Sequence, residues 1–519
     1  MPLTRVTSQL ISIPSNYPLT GSLSGTASYA ITSVNSLDIP KIKSIIYANS
    51  GYTPTTASAI DLVLGNNYII ISGSNFKSSA SVFIDTTTGS IVSYVNENQL
   101  NVNVATKAVG TYPIYLMNTD GASTFKINAI TYIAGSSGKA IFGYGYTTGV
   151  VSMTNLVSNA GVVATDTTGL GTARVYLAAA GYGTDKAIFG YGTTNGGSSG
   201  VVSMTNLVSN VGVVATDTSG VGTARYSPAA AGYGTDKAIF GYGYASGAGG
   251  YLSMTNLVDN NGIVANNTTG VGTARVALAA TGYGTDKAIF GYGTGPVSIT
   301  NLVSNTGVVT TDTTGVGTAR EALAAAGYGT DKAIFGYGYA SGAGGYLSMT
   351  NLVSNTGVVA NNTTGVGQAR SGLAAAGYGS DKAIFGYGDL GNVTNLVSNT
   401  GVVATDTTGV GTARYYLAAA GYGSDKAIFG YGNNGSNQSM TNLVSNTGVV
   451  ATDTTGVGTS RAGLAAVGYG NDKAIFGYGY TSGVVSMTNL VSNTGVVATD
   501  TTGVGTAREG LAAAGYSTT

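Results

Sequence analysis

A block of 44 to 51 residues recurs eight times in this chain. The string KAIFGYG begins each copy, and successive copies are spaced by 47, 51, 50, 45, 50, 44 and 47 residues from Lys139 to Lys473. Each unit continues, with few exchanges, through MTNLVSNTGVV, ATDTTGVGTAR, two variable residues and LAAAGYGTD. Sequence repeats of this length indicate a small structural unit that packs against copies of itself.

Each repeat contains four runs that are typical of short β-strands. We name them a (LAAAGY), b (AIFGYGY), c (MTNLVS) and d (GVVATDTT). Gly-Thr-Asp or Gly-Ser-Asp follows strand a and has the composition of a tight turn. Ser-Asn-Thr-Gly between c and d is typical of a hairpin turn. Four antiparallel strands in such a length have the size of a β-propeller blade.

The order of the strands in the chain indicates how the ring of blades closes. The first unit starts at strand b near Lys139, without a preceding strand a, and the sequence ends with a lone strand a, Leu511 to Tyr516. If this last strand completes the first blade, no sheet edge remains open. The sequence therefore predicts an all-β chain in which residues 136–519 form an eight-bladed β-propeller closed by the C-terminal strand.

The repeats resemble kelch repeats. In each unit an Arg leads a strand of small residues, and a hydrophobic strand that ends in a glycine motif follows. The resemblance covers about residues 136–519. It departs from the kelch pattern in two ways, because Gly-Tyr replaces the usual Gly-Gly and the family's Trp is absent from every repeat.

Residues 38–135 contain strand-like runs with partial alternation of apolar and polar residues, as in a small β-sandwich. The stretches YIIISGSNF (Tyr68 to Phe76) and GTYPIYLMNTDGAS (Gly110 to Ser123) resemble an IPT/TIG immunoglobulin-like domain over about 90 residues. The resemblance implies an Ig-like β-sandwich that serves as a spacer and carries no chemistry.

Residues 1–37 are polar and too few to fold alone. The segment GSLSGTASYA (Gly21 to Ala30) is similar to segments that recur in bacteriophage tail and fibre proteins. The resemblance implies a virion-attachment segment that becomes ordered against other virion proteins.

Composition argues against several classes of function. The chain has 22 basic and 22 acidic side chains, which gives no electrostatic footprint for nucleic acid or an anionic membrane. It has no Cys and no His, so Ser-His-Asp and Cys-His catalysis and imidazole or thiolate metal cages are excluded. Most Asp side chains recur once per repeat, unlike the two distinct carboxylates that glycoside hydrolysis needs. We expect a non-enzymatic protein without cofactor or metal.

The N-terminal sequence does not have the pattern of a signal peptide, and no apolar run approaches the roughly 18 residues that span a bilayer. The polar, Gly- and Thr-rich composition is nevertheless typical of an exterior protein. A virion protein assembled in the host cytoplasm satisfies both observations.

The repeats differ from one another in two places, the b–c loop and the two residues after each Arg. The b–c loop ranges from four residues (Asp389 to Asn392) to eleven (Thr193 to Ser203). In an antiparallel blade the b–c loops and d–a connections lie on the same face, so we expect the two variable sets to adjoin. The residues that we predict to bind a ligand there are Tyr146, Thr194, Asn195, Tyr244, Tyr251, Tyr339, Tyr346, Asn433, Asn434, Tyr480, Tyr176, Tyr226, Tyr415 and Tyr416.

Other recurring polar residues have a structural interpretation. The tyrosines of FGYG and AGYG, such as Tyr144 and Tyr182, recur once per repeat and are expected to pack in the core. Asp166 and its copies are expected to hydrogen-bond their own backbone in a turn, and Lys139 and its copies to be solvated turn charges. Even the variable loops have an alternative interpretation, in which they differ because nothing constrains them.

These observations predict a bacteriophage tail, baseplate or head fibre component that is present in several copies per particle. Its propeller would bind a host-surface receptor, in the favoured form a glycan. Two alternatives remain open, a purely structural virion decoration or adaptor protein and a bacterial surface adhesin.

Overall fold

The computed structural model describes residues 39–516, apart from short gaps. The gaps are at 49–50, 55–59, 62–66, 86, 89–90, 105–106, 108–109, 134–137, 168–170, 184, 219, 221, 235, 247–249, 269–271, 285, 314–316, 330, 342–343, 364–365, 379–380, 390, 408–410, 424, 455–457, 471 and 502–504. The described part is all-β, as predicted, and a 3-10 turn lies at Ser198–Gly200. No helix in this part is long and apolar enough to cross a membrane.

The chain divides into two compact units, Met1–Ile133 and Ala134–Thr519. The predicted attachment segment, residues 1–37, lies outside the described residues.

The first unit contains two sheets, with strand orders β1-β3-β7-β6 and β2-β9-β8-β4-β5. The strands are β1 Lys41–Ala48, β2 Ile60–Asp61, β3 Tyr68–Ser74, β4 Ser81–Ile84, β5 Thr87–Thr88, β6 Ile91–Asn96, β7 Gln99–Asn103, β8 Gly110–Met117 and β9 Ser123–Ile133. Alternate residues of strands from both sheets enter one buried cluster, for example Ile69 and Ile71 of β3 and Ile114 and Leu116 of β8. Strand periodicity thus gives each sheet one apolar face, and the two faces share a core.

The second unit contains eight three-stranded antiparallel sheets, which we number 1 to 8 in the order of their b strands. The b strands are Lys139–Gly143, Lys186–Gly190, Lys237–Gly241, Lys287–Gly291, Lys332–Gly336, Lys382–Gly386, Lys426–Gly430 and Lys473–Gly477. The c strands are Thr154–Val157, Thr205–Val208, Thr255–Val258, Thr300–Val303, Thr350–Val353, Thr394–Val397, Thr441–Val444 and Thr488–Val491. The a strands of sheets 2 to 8 are Ala178–Tyr182, Ala229–Tyr233, Ala279–Tyr283, Ala324–Tyr328, Ala374–Tyr378, Ala418–Tyr422 and Ala465–Tyr469. A short hairpin, Tyr339–Ala340 with Gly345–Tyr346, lies in the b–c loop of sheet 5.

Sheet 1 is completed from the other end of the chain. Its a strand is Ala512–Tyr516, which pairs with b strand Lys139–Gly143 from Lys139↔Tyr516 to Gly143↔Ala512. This is the same register that joins a and b in the other seven sheets, for example Tyr182↔Lys186 in sheet 2. The C-terminal strand therefore occupies the place that the order of the repeats predicts for it.

The a strands of successive sheets lie against one another through glycine. A Cβ atom on Gly181 would lie 2.5 Å from the carbonyl oxygen of Gly515, and one on Gly232 would lie 2.8 Å from that of Gly181. The contact repeats around all eight sheets and returns to its start, since Gly515 lies against Gly468 in the same way. Only glycine permits backbones to approach this closely.

Each b strand also packs an aromatic residue against the preceding sheet. The ring of Phe189 in sheet 2 meets that of Tyr144 in sheet 1 edge to face, at 5.3 Å between centroids. The same ring lies over Gly143, where a Cβ would be 2.7 Å from it. Because Tyr144 and its seven FGYG copies are fully buried, the prediction that they are packing residues is confirmed.

The predicted fourth strand is not a continuous strand. In sheet 1 the d segment makes two isolated bridges to strand c, Val157↔Val163 and Thr154↔Thr167, which are offset by one residue. The side chain of Asn155 lies at this irregularity, where its amide donates to the carbonyl oxygen of Ala164 at 3.0 Å. The Asn155 side chain thus occupies a backbone carbonyl oxygen that would pair strands c and d in a regular antiparallel ladder. The result is a bulge in place of a continuous strand d.

Candidate binding face of the b–c loops

The two variable sets are joined to each other in the structure. In each of six sheets the first residue after the Arg bridges to the residue that follows FGYG. These bridges are Tyr146↔Glu509, Val175↔Thr193, Tyr226↔Tyr244, Glu321↔Tyr339, Tyr415↔Asn433 and Ala462↔Tyr480. We call the b–c loops together with the two residues after each Arg the variable face. The antiparallel pairing of strands b and c puts it at the opposite end of the sheets from the a–b and c–d turns.

One continuous tyrosine cluster spans sheets 2 and 3. Ring centroids are 6.3 Å apart between Tyr176 and Tyr226, 5.4 Å between Tyr226 and Tyr244, and 5.6 Å between Tyr244 and Tyr251. The amide of Ser227 donates to the carbonyl oxygen of Tyr176 at 2.8 Å and links the two sheets. Tyr176 remains 50% exposed. The cluster offers rigid apolar area with hydroxyl groups at its edge, which suits the recognition of an amphipathic ligand.

The remaining predicted residues lie apart from this cluster. Tyr339 and Tyr346 pack together at 5.7 Å on the hairpin of sheet 5. Tyr146 is exposed in the loop of sheet 1. Thr194 and Asn195 of sheet 2 are engaged within their own loop. The Asn195 side chain accepts from the Gly197 amide at 2.9 Å and donates to Ser199 at 2.7 Å.

A pocket of about 510 Å³ lies on the variable face across sheets 7, 8 and 1. Its lining residues are Tyr415, Tyr416, Asn433, Gly435, Ser436, Asn437, Ala462, Gly463, Tyr480, Thr481 and Glu509. The structure therefore brings together four of the predicted residues, since Tyr415, Tyr416, Asn433 and Tyr480 share this pocket, while Asn434 is exposed in the adjoining loop.

Sequence reasoning misses Asn437 in this pocket. Its side-chain amide donates at 3.0 Å to the carbonyl oxygens of both Tyr480 and Thr481 and so ties the loop of sheet 7 to that of sheet 8. Nothing in the chain order signals this contact, because the partners are 43 and 44 residues apart in two loops of unrelated sequence.

The second residue after each Arg has a left-handed backbone in all eight sheets. Three of these residues are glycine, and the other five are Tyr176, Ser227, Ala277, Ala322 and Tyr416, with φ between +49° and +55°. Such a conformation costs a non-glycine residue roughly 1–2 kcal/mol. Strained residues of this kind are often found at ligand sites. Tyr416 keeps a large side chain there and is 67% exposed.

A buried arginine fixes the backbone immediately before each variable pair. In sheet 2 the guanidinium of Arg174 lies 4.1 Å from the ring centroid of Tyr144 in sheet 1. It donates to the carbonyl oxygen of Thr172 at 3.0 Å and to the Asn206 side chain. Its Nη1 lies 3.4 Å from Asp217. All eight arginines are buried in equivalent clusters, so the variable residues stand on a rigid and repeated base.

Burial and hydrogen bonding shift the pKa values of tyrosine and aspartate side chains in these clusters. Desolvation raises the pKa of Tyr144 to about 12, although Arg174 counteracts it in part. For Asp217 desolvation acts in the raising direction, but hydrogen bonds from Thr172 and Asn206 outweigh it and lower the pKa of this carboxyl below its usual value. The pKa of Asp500 is lowered by the equivalent groups.

The interpretation of Asp166 and its copies as residues bonded to their own turn is wrong. Asp166 accepts hydrogen bonds from the Thr506 amide at 2.8 Å and from the Thr506 hydroxyl at 2.6 Å, 340 residues away. Its Oδ1 atom lies 3.7 Å from Arg508. The carboxylate points towards the segment that leads into strand a of its sheet, because the Thr506 donors and the buried Arg508 cation lie there. Lys186, by contrast, pairs with its turn neighbour Asp185 at 2.6 Å and is part-exposed, as predicted.

The lowered carboxyl pKa values predict a pH dependence of stability. A carboxyl whose folded pKa is depressed contributes stability that is complete above its unfolded pKa of about 3.9 and is lost as the pH falls through the lower folded value. We therefore expect the urea midpoint of the wild type to fall between pH 7 and pH 3 more than that of the double variant Asp217→Asn, Asp500→Asn. The chain contains a precedent, since Asn267 accepts from the Thr223 amide at 3.1 Å in the equivalent position of sheet 3. Equal acid sensitivity of the two proteins would contradict the assignment.

No family model matches the chain, and no curated protein sequence is significantly similar to it. In the described part of the chain, no group of three or more His, Cys, Asp or Glu side chains is arranged to hold a metal ion.

Proposed function

We propose that residues 136–519 form an eight-bladed, kelch-like β-propeller and that residues 38–135 form an IPT/TIG-like immunoglobulin sandwich. The eight equivalent sheets, the cycle of glycine contacts from Gly181 back to Gly515 and the pairing of the C-terminal strand with Lys139–Gly143 support the propeller. The two sheets that share one buried cluster support the sandwich.

The chain is, in this proposal, a bacteriophage virion protein of a tail, baseplate or head fibre that binds a host-surface glycan. One observation carries the proposal. Exposed tyrosines gather at the positions where the repeats differ, on a base of buried arginine and tyrosine side chains that recurs in all eight repeats. Sugars offer C–H faces to aromatic rings and hydroxyl groups to amides and phenols, and the variable face carries both types of partner.

The other parts of the chain have supporting roles in this proposal. Residues 1–37 would attach to other virion proteins, and the sandwich would serve as a spacer. Weak contacts at each propeller would add up through several copies per particle, since linked sites raise avidity by orders of magnitude without new contacts.

The proposal predicts that two rings can be removed without harm to the fold. In the full-length variant Tyr176→Gly, Tyr416→Gly, both substitutions relieve a left-handed strain, and Gly372, Gly463 and Gly510 already occupy the same position in other sheets. We expect saturable binding to host cells to weaken at least about tenfold while stability is kept or increased.

The matched control is Ala277→Gly, which makes the same backbone change in sheet 4 at a position without an aromatic ring. Its binding should equal that of the wild type. A folded double variant that binds host cells as well as the wild type does would contradict the proposal, as would a wild type that binds none of the candidate hosts.

One observation favours the alternative of a purely structural virion protein. Every c–d turn exposes an aliphatic side chain, and each of these is 62–68% exposed. They are Val162, Val213, Ile263, Val308, Val358, Val402, Val449 and Val496. A contact with other virion proteins would retain such a residue in all eight repeats. Loss of particle assembly on changing these residues to Ser, with cell binding unaffected by the tyrosine changes, would favour this function.

A further inference from the structure

One position that lines the pocket across sheets 7, 8 and 1 carries no side chain. Gly463 is the second residue after Arg461, with φ +61°. A Cβ there would meet a single atom within 4 Å, the Glu509 Oε2 at 3.7 Å, so the space beside it is open. In sheet 7 the same position holds Tyr416, which forms a wall of this pocket.

Contacts between neighbouring residues hold parts of the pocket lining in place. Tyr415 and Tyr416 pack with ring centroids 5.0 Å apart. Asn437 holds the Tyr480 loop through its two 3.0 Å hydrogen bonds. The volume of about 510 Å³ lies within the range of roughly 300–1,000 Å³ that is usual for small-molecule sites.

Glu509 is the one charged residue among those that line the pocket. Its backbone is fixed by two hydrogen bonds with Tyr146, at 2.9 and 3.0 Å. A carboxylate accepts hydrogen bonds from sugar hydroxyl or ammonium groups, whereas it repels an acidic sugar at close range. The hydroxyl groups of the lining tyrosines supply further polar partners.

We infer that this pocket is the glycan site and that it selects a non-acidic saccharide, neutral or amino-substituted, over sialylated or uronic-acid-containing ones. The inference rests on the proposed function and narrows it to one site and one class of ligand. Tyr415, Tyr416 and Tyr480 provide the aromatic surface. Glu509 provides a hydrogen-bonding carboxylate at its edge. The Asn433 side chain shapes the rim, because it donates to Asn437 at 2.9 Å and accepts from the Gly435 amide at 2.8 Å.

The test uses the full-length protein on an array of neutral hexose, N-acetylhexosamine and hexosamine oligosaccharides. A second arm carries the same chains ended by sialic or uronic acid, and binding to whole host cells is measured in parallel. The blocking variant is Gly463→Tyr, which fills the pocket with the residue that Tyr176 and Tyr416 supply at this position in sheets 2 and 7. Its control is Ala277→Tyr, the same new side chain in sheet 4, and Glu509→Gln tests the charge.

We expect the wild type and Ala277→Tyr to bind the non-acidic arm at least tenfold better than the acidic arm. Gly463→Tyr should weaken binding to the array and to cells at least tenfold. Glu509→Gln should reduce the preference for non-acidic over acidic saccharides to less than threefold. If Gly463→Tyr still binds cells like the wild type, the pocket is not the glycan site, but the proposed function remains supported. Preference for the acidic arm would overturn the ligand class. Absence of cell binding by the wild type would overturn the proposed function itself.

Discussion

Removal of residues 511–519 is expected to abolish the cooperative unfolding of the second unit. The truncation deletes strand Ala512–Tyr516 and with it five residue pairs to Lys139–Gly143. It also removes Ala514 and Tyr516 from a buried cluster shared by sheets 1 and 2. Loss of one large buried side chain alone costs about 3–5 kcal/mol, and an entire domain is stable by only about 5–15 kcal/mol. Thermal unfolding followed by circular dichroism should show a broad transition or aggregation.

A permuted protein separates strand pairing from chain length. In this control residues 505–516 are moved to a position between residues 135 and 136, so that strand a precedes strand b. Residues 136–138 then form a three-residue connection, the same length as residues 183–185 in sheet 2. We expect the permuted protein to recover a cooperative transition within a few degrees of the wild type. A truncated protein with unchanged unfolding would show that sheet 1 does not depend on the C-terminal strand.

The second large effect on stability is expected when a buried arginine is substituted. Arg174→Met leaves the Asn206 side chain without its donor and Asp217 without its cation, and removal of one partner from a buried pair costs about 3–5 kcal/mol. Arg320 supplies the comparison within the same chain, because Asn362 stands at the position where six of the eight clusters have Asp. We expect Arg320→Met to cost about 1 kcal/mol less, since no carboxylate loses its partner and Asp217 is partly solvated.

Chemical denaturation of both variants gives the two free energies of unfolding. The double variant Arg174→Met, Asp217→Asn should approach Arg320→Met, because it reproduces the cluster of that sheet without its arginine. If Arg174→Met and Arg320→Met lower the free energy of unfolding equally, the carboxylates would contribute nothing to the stability of these clusters.

The sequence was sufficient to predict strands a, b and c, because their apolar, aromatic and glycine residues recur in phase with turn residues. It was misleading for strand d. GVVATDTT has strand composition, but the ladder is interrupted by the side chain of Asn155, which lies in another segment and reveals its role only through a tertiary contact. The partner of Asp166 escaped prediction for the same reason, since Thr506 is 340 residues away.

The variable face, too, could be predicted from the sequence only in part. Comparison of the repeats located the positions that differ, and the structure joins the two sets, for instance Tyr226 to Tyr244. Which tyrosines touch one another depends on loop shape. The space beside Gly463 in the pocket is open because glycine has no side chain. The sequence alone does not indicate that a pocket lies there.

The closure of sheet 1 has a consequence for synthesis on the ribosome. Gly143 ends strand b of this sheet, and its partner strand begins 369 residues later, at Ala512. At translation rates of about 5–20 residues per second, the edge of this b strand therefore waits roughly 20–70 s for its partner. Neighbouring nascent chains on one messenger expose the same edge meanwhile. A finished C-terminal strand can then complete the sheet of another molecule, so a domain-swapped dimer is the expected by-product of rapid expression.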